Sequence, residues 1–284
     1  MTAARVRFFD EASTFASAVI PTLAARAVAN NVFIGIVERM AHAPEADHLR
    51  AAVWANEGLA LAALRTPPNF LYLVHAGHGF NGVAVLADAL RARGDTVPGV
   101  SGEEHLVAAF AGAWAHRTGF AVAATDQRLL YQATSVVRPN AIAGDLVLAD
   151  RANVERHIAW ELAFAADVEA REAERDPVFL AERIERWFSG DALFDWRVDG
   201  VAVAQGAVWP IGADGARVMG IYTPPAMRGR GYAQAMTAAL TQHALNQGRW
   251  CTLFTDAANP ITNKIYPRVG YRFVAAYADL TFAE

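Results

Sequence analysis

The sequence predicts an α/β chain of two tandem domains, with sheets flanked by helices. Three observations carry the prediction. The chain has 284 residues, 54% hydrophobic and 19% charged, a length typical of two cores and a composition that favours compact packing over disorder. Its C-terminal half alternates short strand-like runs with amphipathic helical stretches. Its N-terminal half repeats that order more faintly, as a duplication would.

The elements follow in order. Leu59 to Leu64 reads as a strand ending in Thr66-Pro67-Pro68, as the C-terminal strand ends in Thr223-Pro224-Pro225, and Asn81 to Arg93 as a helix. Glu103 to Gly119 is amphipathic, carries Phe110 and Trp114, and closes on Gly119-Phe120. Two strand-like runs, Ala121 to Thr125 and Leu129 to Val136, straddle Asp126-Gln127. Arg138-Pro139-Asn140 then interrupts the pattern, which puts the domains at 1–138 and 141–284. Beyond it Asp145 to Ala149 alternates like a strand, and Asp150 is placed to cap a helix running from Arg151 to about Glu174. A second helix starts after Asp176-Pro177 and ends at Gly190. Ala192 to Val198, Val201 to Trp209 and Arg217 to Thr223 read as strands, the first two joined by a hairpin turn at Asp199-Gly200. A helix over 232–247, a strand over Cys251 to Thr255, a helix around Tyr266 and a last strand near Ala276 to Phe282 complete the order.

Composition excludes several classes. A net charge of −4, with no basic tail, gives no electrostatic reason to expect a nucleic-acid partner. Cys251 is the single cysteine, so no intrachain disulfide forms and a reducing compartment is expected; in an apolar strand it reads as a small core residue. The N-terminus lacks a signal peptide's apolar run, and the apolar stretch around Val28 to Val37, broken by Asn30 and Asn31, is too short to span a bilayer. The expectation is a cytoplasmic protein without a membrane partner, monomeric or homodimeric.

The segment richest in chemistry is Arg228-Gly229-Arg230-Gly231-Tyr232-Ala233. It joins an apolar strand to a helix, so unpaired backbone N–H groups and the positive end of the helix dipole meet in a glycine turn that lets an anion approach closely. The dinucleotide fingerprint fails when counted from Gly229, because its last position is Gln234. A Walker loop fails because no Gly-Lys-Ser/Thr triplet occurs.

Arg228, Gly231 and Ala233 fit R-x-x-G-x-A. In this strand–turn–helix setting the pattern resembles the pyrophosphate loop of the GNAT family of acyl-CoA-dependent N-acyltransferases. A second segment is similar to the family in type and spacing: Asn259 after a strand, Tyr266 seven residues on, and Gly270-Tyr271 before the last strand. The resemblance covers roughly the C-terminal half and implies tandem GNAT-like domains, each a mixed, mainly antiparallel sheet flanked by helices. The N-terminal copy lacks the loop, which implies a single functional acetyl-CoA site and a degenerate N-terminal domain.

The resemblance also implies roles. The loop Arg228, Gly229, Arg230, Gly231, Tyr232 and Ala233 would bind the pyrophosphate. Ile221, Tyr222 and Thr223 would line the pantetheine arm, with the backbone N–H near Ile221 polarising the thioester carbonyl. Asn259 and Asn263 would contact the cofactor arm, and Tyr266 would be the general acid for the leaving thiolate. The activity implied is N-acetyl transfer from acetyl-CoA to an amine acceptor; a non-catalytic acyl-CoA-binding or regulatory protein is the alternative. The general base is open among Asp256 acting through water, a water chain, and an amine that arrives neutral. His75 with His78, and His157 with Glu161 at i, i+4 spacing, lack the further ligands of a metal site, so none is expected. Trp187, Trp196 and Trp209 suit either an acceptor pocket or the core.

Overall fold

The computed structural model describes residues 4–42, 48–56, 58–77, 80, 82–139, 142–168, 176–260 and 262–283. The chain divides into two compact units, one of residues 1–130, 256–258 and 274–284, the other of 131–255 and 259–273. The sequence suggested contiguous halves. The first unit instead includes the end of the chain, because the last strand pairs there.

The first unit carries β1 (Arg5–Phe8), α1 (Ala12–Leu23), α2 (Asn31–Ala41), β2 (Leu49–Ala55), β3 (Gly58–Arg65), β4 (Leu71–His75), α3 (Val83–Arg93), β5 (Gly99–Glu103), α4 (Glu104–Thr118) and most of β6 (Ala121–Ala133). Its strands run in the order β1-β2-β3-β4-β5-β12, where β12 is Arg272–Ala283. Neighbours are antiparallel except β4 and β5, which are parallel. β3 is buried from Leu59 to Leu64 because helices cover both its faces. Leu61 and Ala63 pack with Leu86 and Leu90 of α3 and Phe110 and Trp114 of α4. Ala62 and Leu64 pack with Phe15 and Val19 of α1 and Phe33 and Val37 of α2. Each large side chain buried this way contributes roughly 1.5–3 kcal/mol.

The second unit repeats the plan with β7 (Asp145–Leu148), α5 (Val154–Asp167), α6 (Pro177–Ser189), β8 (Leu193–Val198), β9 (Val201–Ile211), β10 (Gly215–Tyr222), α7 (Tyr232–Asn246), β11 (Trp250–Asp256) and α8 (Thr262–Val269). Its strand order is β11-β10-β9-β8-β7, antiparallel except for the parallel pair β10–β11. The helix caps are those the residue types predict. Asp150 accepts from the Ala152 N–H and Asp176 from the Val178 N–H, each at 2.9 Å. Asp199 and Gly200, at φ +48° and +78°, make the hairpin turn between β8 and β9.

Several sequence expectations are corrected. Asp126-Gln127 does not divide two strands; β6 runs unbroken from Ala121 to Ala133. The first C-terminal helix begins with a 3-10 turn, Arg151–Asn153, and its α-helical part ends at Asp167; its expected end at Glu174 lies outside the described residues, as does Asn140. Thr66-Pro67-Pro68 is not the counterpart of Thr223-Pro224-Pro225. It follows β3, and the counterpart of β10 is β4, inside the apolar stretch that follows that triplet. Among the described residues no helix is long and apolar enough to cross a membrane.

Candidate functional site

Two parallel strands stop pairing in the second unit. The β10–β11 register covers Gly215–Arg217 against Trp250–Thr252, yet β10 continues to Tyr222 and β11 to Asp256. On its other side β10 bulges: Met219 faces Ala207 and Tyr222 faces Gln205, so three steps on β10 match two on β9. Gly220 lies in the bulge at φ +60°. A Cβ there would stand 2.7 Å from the Trp187 ring and 3.5 Å from Glu161 Oε2. Ile221 turns its side chain over Gly206, where a Cβ would meet it at 2.5 Å. The bulge leaves Gly220 and Ile221 outside the register with β9.

The chain leaves β10 at Thr223, whose buried hydroxyl has no hydrogen-bond partner among the described residues. It passes a 3-10 turn, Pro225–Met227, and enters α7 through Arg228–Gly231. Gly229 and Gly231 have φ of +78° and +81°, a region L side chains rarely adopt, and any Cβ on Gly231 would collide with Ile142. Gly231 is the N-cap and offers no side chain, so the first N–H groups of α7 face outward uncapped. Ala233 lies within that first turn, behind Tyr232, which is buried. Arg228 is held by Asp167, donates from Nε to the Thr223 carbonyl at 3.0 Å, and lies over the Tyr222 ring at 5.8 Å. Arg230 is exposed.

On the far side of the wedge, Asn259 caps α8: its Oδ1 accepts from the Thr262 N–H at 3.2 Å, and its carbonyl from the Asn263 N–H at 3.3 Å. Tyr266 is partly buried between Tyr131 and Tyr271, with ring centroids 6.4 and 6.1 Å away, and burial pushes its phenol up to about 12. The Tyr271 hydroxyl meets Thr241 Oγ1 at 2.8 Å and ties the end of α8 to α7. Gly270, at φ +110°, puts its Cα where a side chain would strike the Ser135 carbonyl at 2.7 Å. Asp256 is exposed and accepts from the Ala258 N–H at 2.7 Å, a local turn cap. Cys251 is fully buried and its thiol is pushed up to about 12, which makes it a core residue. Trp187 covers Gly220, while Trp196 donates to the Ala143 carbonyl and Trp209 packs on Gly190.

The first unit closes the matching position. Its parallel pair also registers over three residues, Leu71–Leu73 against Val100–Gly102. Beyond them His75 Nε2 meets Glu103 Oε2 at 3.2 Å, and Arg26 binds both, at 2.7 Å to His75 and 2.9 Å to Glu103. Burial raises the Glu103 carboxyl, but His75 and Arg26 outweigh it and hold the group low. This bridge was missed in the sequence because its three residues lie far apart along the chain. His78 lies outside the described residues, and no metal-holding cluster of His, Cys, Asp or Glu occurs among the described residues.

A second buried cluster links His157 and Glu161, which the sequence singled out only for their spacing. Arg156 donates to Asp195 at 2.8 Å and approaches His157 Nε2 at 2.9 Å; His157 Nδ1 lies 2.9 Å from Gln205 Oε1; Gln205 Nε2 donates to Glu161 Oε2 at 3.2 Å. Arg183 holds the other Glu161 oxygen. One assignment satisfies every bond: a neutral imidazole with its proton on Nδ1 and the Gln205 amide nitrogen towards Glu161. Burial lowers the His157 pKa, in keeping with the neutral form.

Residues 156–271 match the acetyltransferase (GNAT) family. The chain carries a GNAT domain. This family moves acyl groups from acyl-CoA, and the wedge, bulge and uncapped helix of the second unit lie within the matched residues. The full chain has the fold of tandem GNAT proteins. It is similar to a GNAT-family acetyltransferase from Colwellia psychrerythraea (15% identity, TM-score 0.61, 98% of this chain on 100% of that one). It is also similar to a tandem GNAT protein from the clavulanic acid biosynthesis pathway (15%, TM-score 0.59, 99% on 98%) and an N-acetyltransferase from Kribbella flavida (21%, TM-score 0.54, 96% on 96%). A search of curated proteins finds no match to the sequence.

Proposed function

We propose that the protein is an N-acetyltransferase that moves the acetyl group of acetyl-CoA directly to a primary amine of a small molecule or peptide. One observation carries this reading: β10 and β11 part after three paired residues, in front of an α7 N-terminus whose glycine cap leaves its N–H groups open. Uncapped N–H groups at the positive end of a helix suit a pyrophosphate, and Arg228 and Arg230 complement its charge. Arg228 exchanges Asp167 for phosphate on binding. The wedge suits a narrow pantetheine arm along Tyr222 and Thr223, whose unpartnered hydroxyl gains a partner there, with Asn259 and Asn263 opposite. The backbone N–H at Ile221, which the bulge puts outside the β9 register, is the donor for the thioester oxygen; such a donor contributes about 3 kcal/mol where water is excluded.

Tyr266 is the donor to the leaving sulfur. With its phenol near 12 it stays protonated at any physiological pH, and it passes its proton only as the C–S bond breaks. The test is release of free thiol from acetyl-CoA with a panel of amines, for wild type and Tyr266→Phe. The variant is expected to turn over about 100-fold more slowly with unchanged acetyl-CoA affinity. Tight binding with no transfer to any amine would replace this reading with a non-catalytic acyl-CoA-binding protein.

A further inference from the structure

The proposed reaction needs a group to take the proton of the incoming ammonium, and the loop, wedge and α8 supply none. Asp256, exposed and engaged in its own turn, is poorly placed to do so. β10 offers no carboxylate at 221 or 222. A carboxylate does reach the bulge, from the helix layer. Glu161 Oε2 lies 3.5 Å from the Cβ position of Gly220, and the backbone N–H at Ile221 is the next in the chain. The glycine matters for this proximity, because any side chain at 220 would stand between Glu161 and the Trp187 ring.

We propose that Glu161 is the catalytic base of the second unit: its carboxylate receives the ammonium of the acceptor beside the Gly220 bulge and takes its proton. The assignment rests on the acyl-transfer reading above. A carboxylate has about four lone-pair sites, and Arg183 and Gln205 use two, which leaves acceptor capacity for an ammonium. The Trp187 ring, already beside the Arg183 guanidinium at 5.5 Å, offers a face that favours a cation. Burial raises the Glu161 carboxyl above the ordinary carboxylate range against the opposing pull of Arg183 and Gln205, which makes it a stronger base than a surface glutamate.

The chain behind it fixes its aim. Gln205 on β9 presents its amide nitrogen to Glu161 only because His157 occupies the amide oxygen, and His157 is turned that way by Arg156 beside Asp195. The charged and titratable groups facing the carboxylate are thus Arg183 from α6 and, through Gln205, His157 of its own helix with Asp195, Arg156 and Arg197 behind it. Gln205 and His157 are positioning residues.

The atoms balance as follows. Glu161 takes one proton from the ammonium and later releases it to solvent. The freed nitrogen forms the C–N bond to the acetyl carbon. As the C–S bond breaks, the nitrogen's surplus proton passes by way of the Tyr266 hydroxyl to sulfur, leaving an amide and a thiol.

The experiment measures kcat/KM against pH for wild type and Glu161→Gln, with acetyl-CoA and two amines of different basicity that are both mainly ammonium ions at pH 7, benzylamine and the less basic glycinamide. With Glu161 as base, the wild-type rising limb stays in place when the amine is changed. Glu161→Gln should lose about 100-fold at pH 7 and recover as pH approaches the amine's own pKa, with acetyl-CoA affinity by calorimetry unchanged. A uniform loss at every pH marks a structural role and overturns the proposal, as does a variant within threefold of wild type. If the variant does not fold, the wild-type profile decides alone: a rising limb that follows the basicity of the amine overturns the assignment. Wild type inactive with a broad amine panel overturns the transfer reading and this base with it, whereas active wild type with unaffected Glu161→Gln overturns the base alone.

Discussion

Replacing Gly220 by alanine tests the bulge most directly. At φ +60° an L side chain costs roughly 1–2 kcal/mol. The added methyl would stand 2.7 and 3.0 Å from two carbons of the Trp187 ring, and Trp187 is buried in the cluster with Ile184 and Leu193. Overpacking of this kind costs typically 1–3 kcal/mol, so Gly220→Ala should lose about 2–5 kcal/mol. Urea unfolding followed by tryptophan fluorescence reads the loss as a midpoint lowered by about 1–2.5 M, for an m-value near 2 kcal/mol/M. Combining it with Trp187→Leu separates the two parts. The clash disappears and the backbone strain stays, so the pair should couple favourably by about 1–3 kcal/mol. A Gly220→Ala protein within 0.5 kcal/mol of wild type would refute both parts, and a double mutant that is simply additive would refute the contact with Trp187.

Two further outcomes follow from burial. Cys251, with its thiol held near 12, should react with a thiol reagent at least 100-fold more slowly in the native protein than in urea, and rapid stoichiometric labelling of the native chain would contradict its burial. His157, whose folded pKa is lowered by burial below the usual 6.5, contributes stability that is complete above pH 6.5 and lost as pH falls towards the folded value. Glu161, raised by burial, works the other way: its contribution is complete below its ordinary pKa and lost as pH rises through the folded one. Melting temperatures between pH 7 and 5.5 should therefore fall less steeply for His157→Gln than for wild type, and equal slopes would show that His157 carries no such cost.

How legible these features were in the sequence depended on range. The loop, the caps at Asp150 and Asp176 and the hairpin at Asp199-Gly200 rest on neighbouring residues, and glycine, aspartate and proline announce them locally. β5 was invisible because Gly99-Val100-Ser101-Gly102-Glu103 has poor strand propensity; its glycines are there because a Cβ on Gly99 or Gly102 would lie 2.5 Å from the Leu280 or Leu73 carbonyl. β4 was hidden by an apolar run too short to separate from a loop. The false echo of Thr-Pro-Pro arose because proline ends strands in many settings. At the proposed site, the glycine turn that opens α7 was legible, whereas the Arg26–His75–Glu103 bridge and the Glu161–Gln205–His157 chain join residues whose nearness is created only by folding.

The pairing of Tyr277–Thr281 with Gly99–Glu103 has a consequence for synthesis. Leu280 and Ala278 belong to the same cluster as Leu61, Leu73 and Phe110, so the first unit lacks a strand and part of its core until synthesis has passed Thr281. At 5–20 residues per second that interval is roughly 10–35 s, during which one edge of β5 stands open to any strand that meets it. The two units therefore cannot mature in the order in which they are translated. The half that begins first is finished last.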